Sequence, residues 1–63
     1  MVRKARRNAE FTQQQLGDAV GVSRQTIISI EQGRYRPSVE LALKLARTLG
    51  RSVEELFILE EAR

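Results

Sequence analysis

The chain has 63 residues, a formal net charge of +3, and neither cysteine nor histidine. Its length predicts a single domain over residues 1–63, without room for a ligand-sensing domain. The two missing residue types exclude a disulfide framework and thiolate or imidazole metal sites, and they remove the commonest general base. We therefore expect no catalysis, no metal, no cofactor and no small-molecule ligand. The lack of cysteine suits a cytoplasmic protein.

Positive charge is concentrated in the first part of the chain. Residues 1–37 contain seven Lys and Arg against three acidic residues (net +4), whereas residues 38–63 contain four against five (net −1). A polyanion is the natural partner of such a region, although an ordinary solvated basic surface would have the same charge. No apolar run approaches the roughly 20 residues that cross a bilayer, so no membrane contact is expected.

Capping signals divide the chain into five predicted helices, at about 2–9, 13–20, 24–32, 39–49 and 53–59. Ser or Thr stands at each expected N-cap after the first: Thr12, Ser23, Ser38 and Ser52. A glycine follows three of the predicted helices, where a positive φ is needed: Gly21, Gly33 and Gly50. Gln15 and Glu55 stand where they would complete capping boxes. The sequence therefore predicts an all-α domain.

The fourth and fifth helices differ in how clearly their apolar residues are arranged. The fourth is apolar over much of its circumference, which predicts the central core helix: Val39, Leu41, Ala42, Leu43, Leu45, Ala46 and Leu49. The apolar run at 56–59 is too short to classify by period. It is compatible with a continued helix or with a short C-terminal strand.

The segment between the second and third helices has the pattern of a helix-turn-helix. Leu16 and Val20 form one face of the second helix, and Ile27 and Ile30 form one face of the third. Residues 21–23 make a turn of the required length, in which glycine permits the bend, valine fills the angle and serine caps the next helix. The motif therefore occupies residues 13–32.

This chain resembles the phage repressor and Cro family of helix-turn-helix regulators, the XRE family, over roughly residues 2–58. Gly17 stands where the family usually has alanine, at the closest expected approach of the two helices, and should loosen the second helix by about 0.5–1 kcal/mol. No long N-terminal arm is expected to enter the groove. The resemblance depends on these matches: Arg6, 11–13, Leu16, 20–27, Ile30, Glu31, Gly33, Tyr35, Pro37, Ser38, 41–46 and 53–57.

The resemblance implies a compact repressor-like domain that binds double-stranded DNA with its third helix in the major groove. The outward residues of that helix would contact base edges: Arg24, Gln25, Ile28 and Ser29. Arg pairs with guanine, Gln pairs with adenine, and an isoleucine can meet a thymine methyl. Two alternatives remain open. Arg24 and Gln25 would also suit a solvated helix start, and Ile28 would also suit packing against the first helix.

Phosphate contacts are expected on both sides of the groove. The candidates are Gln13, Ser23, Thr26, Arg34, Tyr35 and Arg36. An ordinary charged loop would explain the two arginines equally well. The basic cluster Arg3, Lys4 and Arg7 would add long-range attraction to DNA. A solvated first helix would explain the cluster equally well.

A different role is implied for Arg6 and Glu31. In the family, residues at the positions of Arg6 and Glu31 form a partly buried ion pair between the first and third helices. The position of Glu31 beside the apolar face of the third helix fits this reading. The pair is expected to be structural.

The apolar run Leu56, Phe57, Ile58 and Leu59 predicts a twofold interface within a dimerisation segment at about 53–61. Its alternative is that all four residues cover the domain's own core.

The function predicted for this chain is that of a homodimeric repressor on a (pseudo)palindromic operator, associated with the nucleoid through DNA. The alternative function is an antitoxin or a protein-interaction module of the same fold. An enzyme is not expected, because so small a chain has no sizeable cleft.

Overall fold

The computed structural model describes residues 1–57, which form five α-helices and no strand. The helices are α1 (Val2–Asn8), α2 (Gln13–Val20), α3 (Arg24–Glu31), α4 (Val39–Leu49) and α5 (Val53–Leu56). The predicted all-α class is confirmed for these residues. Among them, no helix is long and apolar enough to cross a membrane. Within the same residues, His, Cys, Asp and Glu form no group that could hold a metal ion.

The helix boundaries follow the capping residues closely. The predicted bounds of α2 and α4 are correct, and α1 and α3 each end one residue earlier than expected. The fifth helix ends at Leu56, three residues before its predicted end, because Phe57 leaves the helical conformation with φ −128° and ψ 86°. Ile58 and Leu59 lie outside the described residues, so the alternative of a C-terminal strand is not tested there.

Each helix after α1 begins with a side-chain cap. The hydroxyl oxygens of the four predicted N-caps accept hydrogen bonds from backbone N–H groups three residues on. Both predicted capping boxes are present, since the side chains of Gln15 and Glu55 accept from the backbone N–H of Thr12 and Ser52 at 2.9 and 2.8 Å. A cap of this kind stabilises a helix by about 1 kcal/mol. Local side-chain chemistry therefore fixes where these short helices start.

The helix C-termini contain one feature that the sequence did not signal. The three predicted glycines have the expected positive φ, between 68° and 83°. The first helix makes the same turn without glycine, because Glu10 has a φ of 63°. The N–H of Phe11 then donates to the carbonyl oxygen of Arg6 at 3.1 Å. A left-handed conformation at a residue with a Cβ costs about 1–2 kcal/mol, which this hydrogen bond partly offsets.

The core is built from one face of each helix. Its three fully buried large side chains come from three helices: Leu16 of α2, Ile27 of α3 and Leu45 of α4. Helix α4 contributes more buried side chains than any other helix but packs mainly against α2 and α5, so the prediction that it is the central helix is not confirmed. Its apolar circumference is also not all buried. Val39 and Leu43 are 77% and 55% exposed, since they lie on the side of the helix opposite Leu45. The apolar stripe that enters the core is therefore narrower than the sequence predicted.

Candidate nucleic-acid interface

The turn between α2 and α3 is held by hydrogen bonds to a single carbonyl group. Gly21 has a φ of 83°, which a residue with a Cβ adopts only with strain. The N–H groups of Gly21 and Val22 both donate to the carbonyl oxygen of Gly17, at 2.8 and 2.9 Å. Val22 is half-buried against the core, and the Ser23 hydroxyl caps α3 by accepting from the N–H of Thr26. The turn therefore fixes the angle at which α3 leaves α2.

Gly17 approaches this turn more closely than an alanine could. A Cβ added at Gly17 would lie 2.7 Å from the carbonyl oxygen of Val22 and 3.4 Å from backbone atoms of Ser23. The close approach expected at Gly17 is thus made with the turn that follows α2. Because the blocking atoms belong to the backbone, a methyl group here would have to displace the turn. Glycine lowers the helix propensity of α2 and permits this contact.

The first two residues of α3 present free polar side chains. Arg24 and Gln25 are exposed, whereas Ile27 and Ile30 of the same helix are buried. Within residues 1–57, neither polar side chain forms a hydrogen bond to another residue. Ser29 is half-buried further along the same helix. The outward orientation expected for Arg24 and Gln25 is therefore observed.

Ile28 lies at the border between the exposed and buried faces of α3. Its side chain is half-buried and lines a depression that also contains Arg3 of α1 and Phe11. It is thus on the side of α3 that faces α1. This placement keeps both readings of Ile28 open, because such a residue can contact α1 and still present methyl groups to a ligand.

The expected phosphate contacts fall into two groups according to what else they bind. Ser23 and Thr26 are engaged in the α3 cap, with their hydroxyl oxygens 3.0 Å apart. The side chain of Gln13 is also engaged, since its Nε2 donates to Oε1 of Glu31 at 3.1 Å. At the start of α2, an anion could still accept hydrogen bonds from the first backbone N–H groups of the helix, which have no partner within the helix. The remaining candidates are exposed in the loop between α3 and α4: Arg34, Tyr35 and Arg36.

The sequence and the fold of this chain are both similar to those of known proteins. A family model described as Helix-turn-helix matches residues 2–56. An uncharacterized HTH-type transcriptional regulator of Methanothermobacter thermautotrophicus is 50% identical over 62 residues, which are 97% of this chain and 90% of that protein. Another, of Methanocaldococcus jannaschii, is 52% identical over 51 residues, with 81% and 77% covered. The solved structure of the restriction-modification controller protein C.AhdI from Aeromonas hydrophila is similar with a TM-score of 0.80 and 30% identity, over 89% of this chain and 85% of that one.

The chain belongs to the helix-turn-helix family of transcriptional regulators. The match runs from the start of α1 to the end of α5, so it includes the whole described fold as well as the motif. The resemblance to XRE-type regulators that the sequence predicted is confirmed. This family consists of DNA-binding regulators and is not a class of enzymes.

A buried ion pair connects α1 to α3 in this helix-turn-helix regulator. Nε of Arg6 lies 2.6 Å from Oε2 of Glu31, and the two side chains are only 11% and 4% exposed. Nη1 of Arg6 also donates to the carbonyl oxygen of Phe11 at 2.9 Å. The ion pair that the family resemblance implied is therefore present. The pair fixes α3 against α1.

Sequence reasoning missed one member of this network. Gln13 joins the pair through its hydrogen bond to Glu31, so the start of α2 is fixed to the end of α3 in this regulator. The two residues are 18 positions apart, and no local pattern relates them. The available signal was indirect: both residues match the family pattern, although the sequence assigned Gln13 only to the DNA backbone.

Proposed function

We propose that this regulator binds double-stranded DNA by placing α3 in the major groove, and that it represses transcription by occupying its operator. The observation that supports this reading is the pair Arg24 and Gln25, exposed and free at the capped start of α3. In helix-turn-helix proteins this end of the second motif helix contacts base edges. The opposite face of α3 is buried, so the helix can enter a groove in one orientation.

The side chains at this end of α3 have the chemistry to discriminate bases. The guanidinium of Arg24 can donate two hydrogen bonds to O6 and N7 of guanine, and the amide of Gln25 can pair with N6 and N7 of adenine. Ser29 can donate to or accept from either, and Ile28 can contact a thymine methyl. The backbone on either side of the groove would be held by the N-terminus of α2 and by the loop at 34–36.

DNA binding of this kind should depend strongly on salt. Each neutralised phosphate releases counterions, so log affinity should fall with log salt by about 0.9 per contact. Two arginine contacts per half-site, from Arg34 and Arg36, would give a slope of about −1.8 for one subunit. Fluorescence anisotropy of a labelled duplex between about 50 and about 200 mM salt would measure it. An affinity that stays constant over this range would contradict the proposal.

We further propose that two copies bind together on an operator with two half-sites, about 10–10.5 base pairs apart. One short helix reads few bases, and a symmetric dimer doubles both the contacts and the site length. Leu56 is buried in the core of its own subunit, whereas Phe57 is half-buried at the edge of that core. The proposed interface therefore begins at Phe57 and continues with Ile58 and Leu59, which lie outside the described residues.

Substitution of Ile58 by aspartate should convert the protein to a monomer and abolish cooperative binding to paired half-sites. A buried charge at a twofold interface is repeated on both copies and is strongly unfavourable. Sedimentation at micromolar concentration would measure the mass of wild type and variant. Leu43→Asp is the matched control, because Leu43 is exposed on α4 and outside this segment. The proposal fails if wild type is monomeric, or if only the control variant dissociates.

A further inference from the structure

The basic residues of α1 lie on two different edges of that helix. Arg3 and Arg7, one helical turn apart, line a depression where α1 meets the start of α2 and the outer side of α3. Lys4 lines a separate depression that α1 forms with α5. The basic cluster that looked uniform in the sequence is therefore divided. One edge adjoins the DNA-binding elements, and the other adjoins the last helix.

The depression beside α3 contains two positive charges that have no acidic partner among residues 1–57. Its buried pair, Arg6 and Glu31, is mutually neutralised, and Glu31 also holds the side chain of Gln13. Arg3 and Arg7 are exposed and form no ion pair within residues 1–57. The positive end of the α2 dipole adds to the potential at the same border. An anion placed here would meet two guanidinium groups and no free carboxylate of the described lining.

We propose that this depression binds one phosphate of the DNA backbone, on the side of α3 that faces α1. The inference depends on the proposed function, because it takes α3 to lie in the groove. Ile28 lines the depression and belongs to α3, so a strand that passes this side of the helix comes within reach of Arg3 and Arg7. Guanidinium groups form charge-assisted, often bidentate hydrogen bonds to phosphate. The contact is separate from those of the loop at 34–36, which does not line the depression.

The double variant Arg3→Gln/Arg7→Gln tests this contact. It should raise the Kd for specific and random duplexes by the same factor, on the order of tenfold or more, because phosphate contacts carry no base information. It should also reduce the magnitude of the salt slope by about 0.9 for each bound subunit, because one phosphate is no longer neutralised. Both side chains are exposed, so the melting temperature should stay at the wild-type value.

Lys4→Gln is the matched control, since it removes one positive charge from the same helix on the edge facing α5. It should leave the salt slope close to that of wild type. If Lys4→Gln changes the slope as much per charge as the double variant, α1 acts only through long-range attraction and the proposed site is wrong. An unchanged slope in the double variant would overturn it equally. Wild-type protein that shows no salt-dependent binding would instead refute the proposed function itself.

A free anion has the same chemistry as a backbone phosphate, and a second titration separates the two. Inorganic phosphate added to the DNA-free protein at millimolar concentration should leave the amide NMR signals of α1 and α3 unchanged. A single ion lacks the additional duplex contacts that place a backbone phosphate here. Saturable binding of inorganic phosphate that the double variant abolishes would overturn the assignment to DNA.

Discussion

Removal of the Glu31 carboxylate by Glu31→Ala should lower the free energy of unfolding by about 3–5 kcal/mol. The substitution leaves the guanidinium of Arg6 buried without its partner, and it releases the Gln13 side chain at the same time. The cost of an unpaired buried charge exceeds what the intact pair contributes, because desolvation of Arg6 is no longer compensated. Urea denaturation followed by circular dichroism would measure the difference, and Glu31→Gln provides a milder variant if the alanine variant does not fold.

Glu40→Ala is the matched control for this experiment. Glu40 pairs with Lys44 one turn along α4 at 3.6 Å, but the two side chains are 81% and 54% exposed. Loss of such an exposed pair should cost less than about 1 kcal/mol. Arg6→Met/Glu31→Met should recover much of the stability lost in Glu31→Ala, since it removes both charges together. Equal costs for Glu31→Ala and Glu40→Ala would show that burial of the Arg6–Glu31 pair is not what makes it important.

Arg24→Ala and Gln25→Ala should each weaken binding to the preferred DNA site by about 1–3 kcal/mol and change binding to random duplex little. A base contact is made only with the right base, so its loss removes discrimination. The measurement is a comparison of Kd values for a preferred and a scrambled duplex of equal length.

Arg34→Ala is the control for the base-contact variants, because Arg34 is an exposed arginine in the loop after α3. As a phosphate contact it should weaken binding to both duplexes by similar factors. The assignment of Arg24 and Gln25 to base reading would be wrong if their variants lost the same affinity for both duplexes as Arg34→Ala does.

Most of the fold could be predicted because its boundaries are set by local chemistry. Ser38 and Gly50 bracket α4 correctly, since a cap hydroxyl and a left-handed glycine act on the adjacent few residues. The end of α5 could not be placed, because the apolar run after Leu56 contains no polar residue that gives it a period. The exposure of Leu43 was also missed. An apolar residue on the outer face of a helix has the same sequence signature as one on the inner face.

Some residues of the candidate site could be predicted from the sequence and others could not, because only local features leave a signal in the sequence. Arg24 and Gln25 could be identified because the family resemblance places the third helix in the groove, and because Ile27 and Ile30 face the core. The division of the basic residues of α1 between two edges could not be predicted, since it depends on where α3 and α5 pack against that helix. Contacts between residues distant in the chain, such as Gln13 with Glu31, require the assembled fold.

Selection of bound sequences from a pool of random duplex DNA would show whether α3 reads DNA sequence. Wild-type protein should enrich one (pseudo)palindromic motif with half-sites about one helical turn apart. Arg24→Ala and Gln25→Ala should each relax the preference at particular positions within the half-site while the rest of the motif persists. Recovery of sequences no different from the input pool, by a wild-type protein that is folded and binds DNA, would contradict sequence reading by α3.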